Sequence, residues 1–210
     1  MTERGQSTKE GILEAAQTLV LEKGFSATSL DDIIKTAGVT KGAFFHHFRS
    51  KADLARILVE RFADNDFAKF DEWDRRAEAL ADDPYQAMLI FLKLFEEWLD
   101  SLAQPFAGCM FAVYVYENRL FDPEVNDFVK QSFERWQNYY EQKFKAVLAV
   151  RRPRVDITAR ELAESILSIL EGAFILARSY GQPELTIRQS RLFRTYLKLL
   201  FEDEPATATT

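Results

Sequence analysis

The chain has 210 residues, 47% of them hydrophobic and 29% charged, which is the composition of a soluble folded protein and excludes a disordered chain. No apolar run approaches the ~18–20 residues of a membrane span, the opening MTERGQSTKEG lacks the apolar stretch of a secretory signal, and the single cysteine, Cys109, excludes an intramolecular disulfide framework and suits a reducing cytoplasm. The net charge of −6 is uneven, +1 over residues 1–51 and −7 over residues 52–210, so an acidic total does not exclude DNA binding by the head.

Almost every segment shows the 3.6-residue period and none alternates as a strand does, so the fold class is all-α with about nine helices. Ser7-Thr-Lys-Glu10 fits a capping box opening the first helix, whose stripe of Ile12, Ala15, Ala16, Leu19 and Val20 ends at Gly24. Thr28-Ser-Leu-Asp-Asp opens a short helix with Leu30, Ile33, Ile34 and Ala37 inward, and Gly38 stops it. Thr40 caps a second short helix through His47, and Ser50-Lys-Ala-Asp53 opens a long one with Leu54, Ile57, Leu58 and Phe62 on one side. Asp83-Pro84 starts a helix to about Leu102, Gln104-Pro105 punctuates, and a helix containing Cys109 to Tyr116 follows. Asp122-Pro123 opens another to Val150, and helices over 157–180 and 185–201 close the chain. The domains expected are 1–52 and 53–203, with a disordered tail at 204–210.

Two short helices joined by a glycine-containing turn and braced by a longer preceding helix describe a helix-turn-helix. In that motif the second helix lies in the major groove, its N-terminal residues towards the bases. Here the second helix is Thr-Lys-Gly-Ala-Phe-Phe-His-His-Phe, residues 40–48. Phe44 and Phe48 are four apart and fill the small core, which turns Phe45 and His46 away from it. Gly42 removes bulk where backbone approaches the duplex, and Lys41 and Lys51 stand at the two ends, placed for phosphates. His46-His47 is not a metal site, because adjacent helical residues diverge by ~100° and there is no third histidine.

The stretch Gly38-Val-Thr-Lys-Gly-Ala-Phe-Phe-His-His-Phe-Arg-Ser-Lys-Ala-Asp-Leu54, with Ile12 to Phe25 and Thr28 to Ile33 before it, resembles the signature of the TetR/AcrR family of transcriptional regulators. The resemblance covers about the first 55 residues; the rest is similar only in length and helical character. It implies a dimeric repressor whose C-terminal domain binds a small molecule and pairs two subunits, and which then leaves its double-stranded DNA operator. By position, Thr28, Thr40 and Lys51 are expected on phosphate, and Lys41, Gly42, Phe45, His46 and His47 in the groove. One departure stands out: the family often has Leu-Tyr where this chain has Phe44-Phe45, so the tyrosine's phosphate contact is lost and Phe45 packs on sugar or a thymine methyl.

Beyond the head, 24 of the 28 aromatics follow residue 51. Trp98, Cys109, Phe111, Tyr114, Trp136, Tyr140 and Phe174 are the residues expected to line a pocket for a small apolar or aromatic effector. Ile166, Ile169, Leu170 and Ala173 on one closing helix, and Leu192, Phe193, Tyr196 and Leu199 on the other, are expected to form a homodimer interface across a two-fold axis. A rival reading replaces the small molecule by a partner protein, or by oxidation of Cys109 with its thiol pKa lowered by a helix starting near Pro105. No nucleophile–base constellation or phosphate-binding glycine loop points to an enzyme, and no cofactor or metal is expected.

Overall fold

The structure, a computed structural model, describes residues 3–102, 106 and 108–202. Among them are nine α-helices and no strand: α1 (Glu3–Lys23), α2 (Leu30–Ala37), α3 (Lys41–His47), α4 (Lys51–Leu80), α5 (Pro84–Ser101), α6 (Met110–Tyr116), α7 (Pro123–Val150), α8 (Ala159–Tyr180) and α9 (Glu184–Phe201). A 3-10 turn, Asn118–Leu120, follows α6. The expected break at Gln104-Pro105 and the tail 204–210 lie outside the described residues.

The chain divides into two compact units, residues 1–68 with 107–132, and residues 69–106 with 133–210. The boundary expected after residue 52 is therefore corrected: the first half of α4 and all of α6 belong with the head. The physical reason is core size. Helices α1 to α3 alone offer few buried side chains, and Leu54, Leu58, Phe62, Phe111 and Tyr114 complete the apolar interior around Ile12, Val20, Ile33 and Phe44. Each such side chain, fully buried, stabilises by ~1.5–3 kcal/mol. The second unit has its own core, where Trp73, Phe91 and Phe95 meet Tyr140, Phe144, Ile166, Phe193 and Leu197.

Local chemistry sets most helix ends. Asp83 accepts from the Tyr85 amide with Pro84 in the first turn of α5, and Thr158 and Glu161 form a reciprocal capping box on α8. Gly181 ends α8 at φ +64°, the left-handed conformation a side chain resists. Ser7 does not cap α1. The helix begins at Glu3, because the good helix formers Glu3, Arg4 and Gln6 carry it past the serine. Cys109 occupies the N-cap position of α6, not its interior, since the helix starts at Met110.

In the second unit Glu96 of α5, 1% exposed, accepts both guanidinium nitrogens of Arg194 at 2.8 and 2.9 Å and the Ser190 hydroxyl at 3.1 Å. A buried carboxylate is tolerated only with such full pairing, and this one locks α9 onto α5.

Candidate nucleic-acid interface

The reading head is built from its caps inward. Ser29 caps α2 by accepting from the Asp32 amide at 3.0 Å, while Asp32 accepts from the Ser29 amide at the same distance. Lys23 binds Asp32 at 2.8 Å, and that hydrogen bond, with those from Ser29, holds the Asp32 carboxyl well below the usual carboxylate range. Gly38 turns the chain at φ +64°, and its amide returns to the carbonyls of α2. Thr40 then caps α3, its hydroxyl accepting from the Ala43 amide at 3.2 Å.

Helix α3 has one face in the core and one in solvent. Phe44 and Phe48 are fully buried, their rings 5.4 Å apart. The ~100° per residue of a helix then places Lys41, Gly42, Phe45 and His46 outside, with Phe45 46% exposed although its ring meets Phe44 edge-on. Apart from that edge contact, this large aromatic side chain faces solvent. His47 is half-buried, and desolvation, then the neighbouring His46 and Lys9, push its imidazole below the ordinary value of 6.5. The two imidazoles lie 4.9 Å apart, and among the described residues no group of three metal-ligating side chains occurs.

Two residues expected on phosphate lie elsewhere. Thr28 is fully buried, and its hydroxyl donates to the Gly24 carbonyl at 2.7 Å, bracing the α1–α2 corner. Lys51 donates to the Phe25 carbonyl at 2.7 Å with its ammonium 4.2 Å from the centre of the Phe25 ring. Desolvation lowers its pKa, although Glu117 pulls the other way. Both are corrected from DNA contacts to internal supports, because each reaches a carbonyl of the folded corner, that of Phe25 also accepting from the Thr28 amide at 3.3 Å. Sequence reasoning also passed over Arg49, exposed immediately after α3 and without an ion pair among the described residues. A basic residue one step beyond the reading helix was the available signal.

The aromatic set expected to line one pocket is divided between the units. Cys109, Phe111 and Tyr114 belong to the first. There Phe111 packs edge-on against Phe62 at 5.4 Å, and the Tyr114 hydroxyl donates to the Ala55 carbonyl at 2.7 Å. Trp98, Trp136, Tyr140 and Phe174 belong to the second, Trp136 and Tyr140 being buried.

None of the seven lines the cavity of about 360 Å³ between the end of α4, the start of α5 and the middle of α7. Its walls are Ala87, Met88, Phe91 and Ala146 with Tyr139, Lys143 and the carboxylates of Asp74, Glu78 and Asp82. Lys143 bridges Asp74 at 2.6 Å and Glu78 at 2.7 Å. Desolvation acts against its charge, yet the two carboxylates outweigh it and the ammonium ends above its ordinary pKa. Burial, then Asp74, pushes the Tyr139 phenol up, and its buried hydroxyl has no hydrogen-bond partner among the described residues. Carboxylates at 74 and 78, four apart on α4, with Asp82 just past its end, were the signal that a search for aromatics did not weigh.

The eight residues expected to pair subunits also separate. Ile166, Leu170, Ala173 and Phe193 are buried within the subunit, and Ile169 packs against its core, which corrects their assignment to an interface. Leu192, Tyr196 and Leu199 of α9 point outward, joined by Ile175, Leu176 and Tyr180 of α8. All four of the residues expected on α8 thus turn inward, as does one of the four on α9.

A capped reading helix with an exposed basic and aromatic face, followed by a separate all-helical unit, defines a helix-turn-helix DNA-binding regulator. The profile for "Bacterial regulatory proteins, tetR family" matches residues 12–57, and that for "Transcriptional regulator LmrA/YxaF-like, C-terminal domain" matches residues 84–185. The chain is 28% identical over 175 residues to the transcriptional regulator AcuR of Cereibacter sphaeroides, covering 83% of this chain and 78% of that one. To the HTH-type transcriptional repressor NemR of Escherichia coli it is 41% identical over 54 residues, about a quarter of each chain. Among solved structures, a TetR-family regulator from Agrobacterium tumefaciens superposes with a TM-score of 0.77 at 25% identity over 91% of this chain and 98% of that one. Regulatory protein TetR from Rhodobacter sphaeroides does so with 0.72 at 27% identity over 91% and 97%. The chain belongs to the TetR family of transcriptional regulators, whose members bind DNA and are not enzymes.

Proposed function

We propose that the protein is a homodimeric repressor that holds a palindromic operator and leaves it when a small molecule occupies the second unit. The observation that carries this reading is the exposed face of α3, where Lys41, Phe45 and His46 surround Gly42, Phe45 touching Phe44 by one edge and otherwise facing solvent. In this reading Thr40, Lys41 and Arg49 meet phosphates, while Gly42, Phe45, His46 and His47 lie along the groove, Phe45 against sugar or a thymine methyl. Outward Leu192, Tyr196 and Leu199 with Ile175 and Leu176 form the pairing surface, and a two-fold pair reads half-sites one helical turn or more apart. No described helix is long and apolar enough to cross a membrane, and the protein works in the cytoplasm, where its DNA lies. The naming of the relatives NemR and KstR2 as repressors supports this polarity.

The effector has an apolar or aromatic body for Met88, Phe91 and the alanines of the α4–α5–α7 cavity. Three carboxylates against one lysine favour a positively charged group on that body and repel carboxylic acids. The test is selection of duplexes from a random library with the purified protein, sedimentation of the complex, and release assayed with quaternary ammonium aromatics, neutral aromatics and benzoates. A palindromic consensus bound by two subunits and released by the cations is expected. Enrichment of no sequence refutes the operator, a single subunit on the duplex refutes the dimer, and release by benzoates alone refutes the cavity.

A further inference from the structure

The corner between α1 and α2 takes its shape from side chains far away in sequence. After Gly24, at φ +84°, the amides of Phe25 and Ser26 have no backbone carbonyl as partner among the described residues. Both donate to one carboxylate, that of Glu117 at the end of α6, at 2.7 Å from Phe25 and 3.2 Å from Ser26, and the Ser26 hydroxyl donates to it as well. On the other side of the same residue, Lys51 of α4 donates to the Phe25 carbonyl at 2.7 Å. One peptide unit is thus gripped at its N–H by an anion and at its C=O by a cation.

The ring of that residue is enclosed too, 5.0 Å from Phe121, which stacks on Tyr114 at 4.3 Å. The fit is close: a Cβ on Gly24 would lie 3.0 Å from a Glu117 oxygen.

We propose that Glu117 is a positioning residue for sequence reading: by holding the Phe25–Ser26 corner it sets how α2, and with it α3, is presented from the long helix α1. The chemistry favours this over a stability role alone. Backbone amides past a helix end are ordinarily satisfied by local caps, which cost nothing in long-range order. Here a charged side chain 91 residues away from Ser26 does it, using charge-assisted bonds that fix direction as well as distance. A corner held in this way has one orientation, and contacts at base edges, which need that orientation, carry the sequence information that phosphate contacts do not.

The test compares wild type, Glu117→Gln and the milder Ser26→Ala on two probes, a duplex selected from a random library by the wild type and a shuffled duplex of equal length. Glu117→Gln is expected to lose about tenfold on the selected duplex, the worth of one charged hydrogen bond, and to stay within about twofold on the shuffled one, whose binding is set by phosphates. Ser26→Ala, which removes one donor, loses about threefold, and the double variant binds no more weakly than Glu117→Gln, as a shared interaction requires. Amide exchange at Phe25, Ser26 and across residues 41–48 rises in Glu117→Gln. Unchanged affinity for the selected duplex overturns the proposal. So does an equal loss on both probes with a lower melting temperature, since that is the mark of a merely structural residue.

Discussion

Lys41 and Lys51 stand at the two ends of the reading segment and look equivalent in sequence, yet the structure gives them different work. Lys51→Met keeps the aliphatic stem and removes the ammonium that donates to the Phe25 carbonyl at 2.7 Å. A hydrogen bond to a charged group contributes ~1.5–3 kcal/mol. The cation over the Phe25 ring at 4.2 Å adds about 0.5–1 kcal/mol at a partly exposed site. Part of this is offset by desolvation of the ammonium, the effect that lowers its pKa, which methionine relieves. The net loss is about 2 kcal/mol, and at ~2–4 °C per kcal/mol for a chain of this size that is roughly 4–8 °C. Lys41→Ala, exposed and without an ion pair among the described residues, leaves stability within ~0.5 kcal/mol. Its effect falls on DNA: loss of one phosphate contact lowers the slope of log affinity against log salt by about 0.9. The assays are thermal melting and binding to a selected duplex at four salt concentrations. If Lys51→Met melts like the wild type and flattens the salt slope by a full unit, the ammonium lies on phosphate and the internal role is wrong.

Three further outcomes follow from the same geometry. Arg194→Met removes the two close guanidinium bonds of the buried Glu96 carboxylate, leaving it the Ser190 hydroxyl and Arg191 at 3.7 Å, and is expected to cost about 3 kcal/mol, while Glu96→Leu with Arg194→Met recovers most of it; urea denaturation showing the double variant no better than the single refutes the pairing argument. His47 has its folded pKa below 6.5, so the contribution of this group is full above 6.5 and is lost as pH falls towards the folded value. The urea midpoint of the wild type should therefore decline on that acid side, and His47→Gln should flatten the decline. Leu192→Glu with Leu199→Glu places charges on two outward side chains, which should give monomers by sedimentation and abolish operator binding while each subunit keeps its helical circular dichroism.

Much of the head was legible because its signals are local. Gly38, Thr40, Phe44 and Phe48 each act through neighbours within four residues, so their spacing in the sequence already carries their geometry. The same holds for Asp83-Pro84 at a later helix start. Thr28 and Lys51 were misplaced for the opposite reason. Whether a hydroxyl or an ammonium turns outward depends on a carbonyl within its reach, and Gly24 and Phe25 supply those carbonyls only once the corner is folded. Glu117 could not be read at all, since one glutamate among 33 acidic residues acquires meaning only from amides some 90 positions away. In the second unit, period told which residues were apolar but not which of two opposite flanks faced inward, so Phe193 and Leu192 were assigned alike although one is buried and the other exposed.

The charge of the head illustrates why composition is a weak guide to partners. Seven basic and six acidic residues give residues 1–51 a net of only +1. Several of those charges are already engaged. Asp32 is held by Lys23, and Glu10 is held by Arg61, a cation contributed by α4 from outside the segment, at 2.9 Å. Lys51 is turned onto the Phe25 carbonyl. What remains exposed around the reading helix is Lys35, Lys41 and Arg49, with His46 beside them. Because a duplex responds to charge within about a Debye length, ~8 Å at physiological salt, it meets this local set and not the chain's total. Pairing inside the fold therefore makes a basic face from a nearly neutral segment. The few cations left on that face also predict a shallow salt dependence, with a slope of about three to four units per subunit at most.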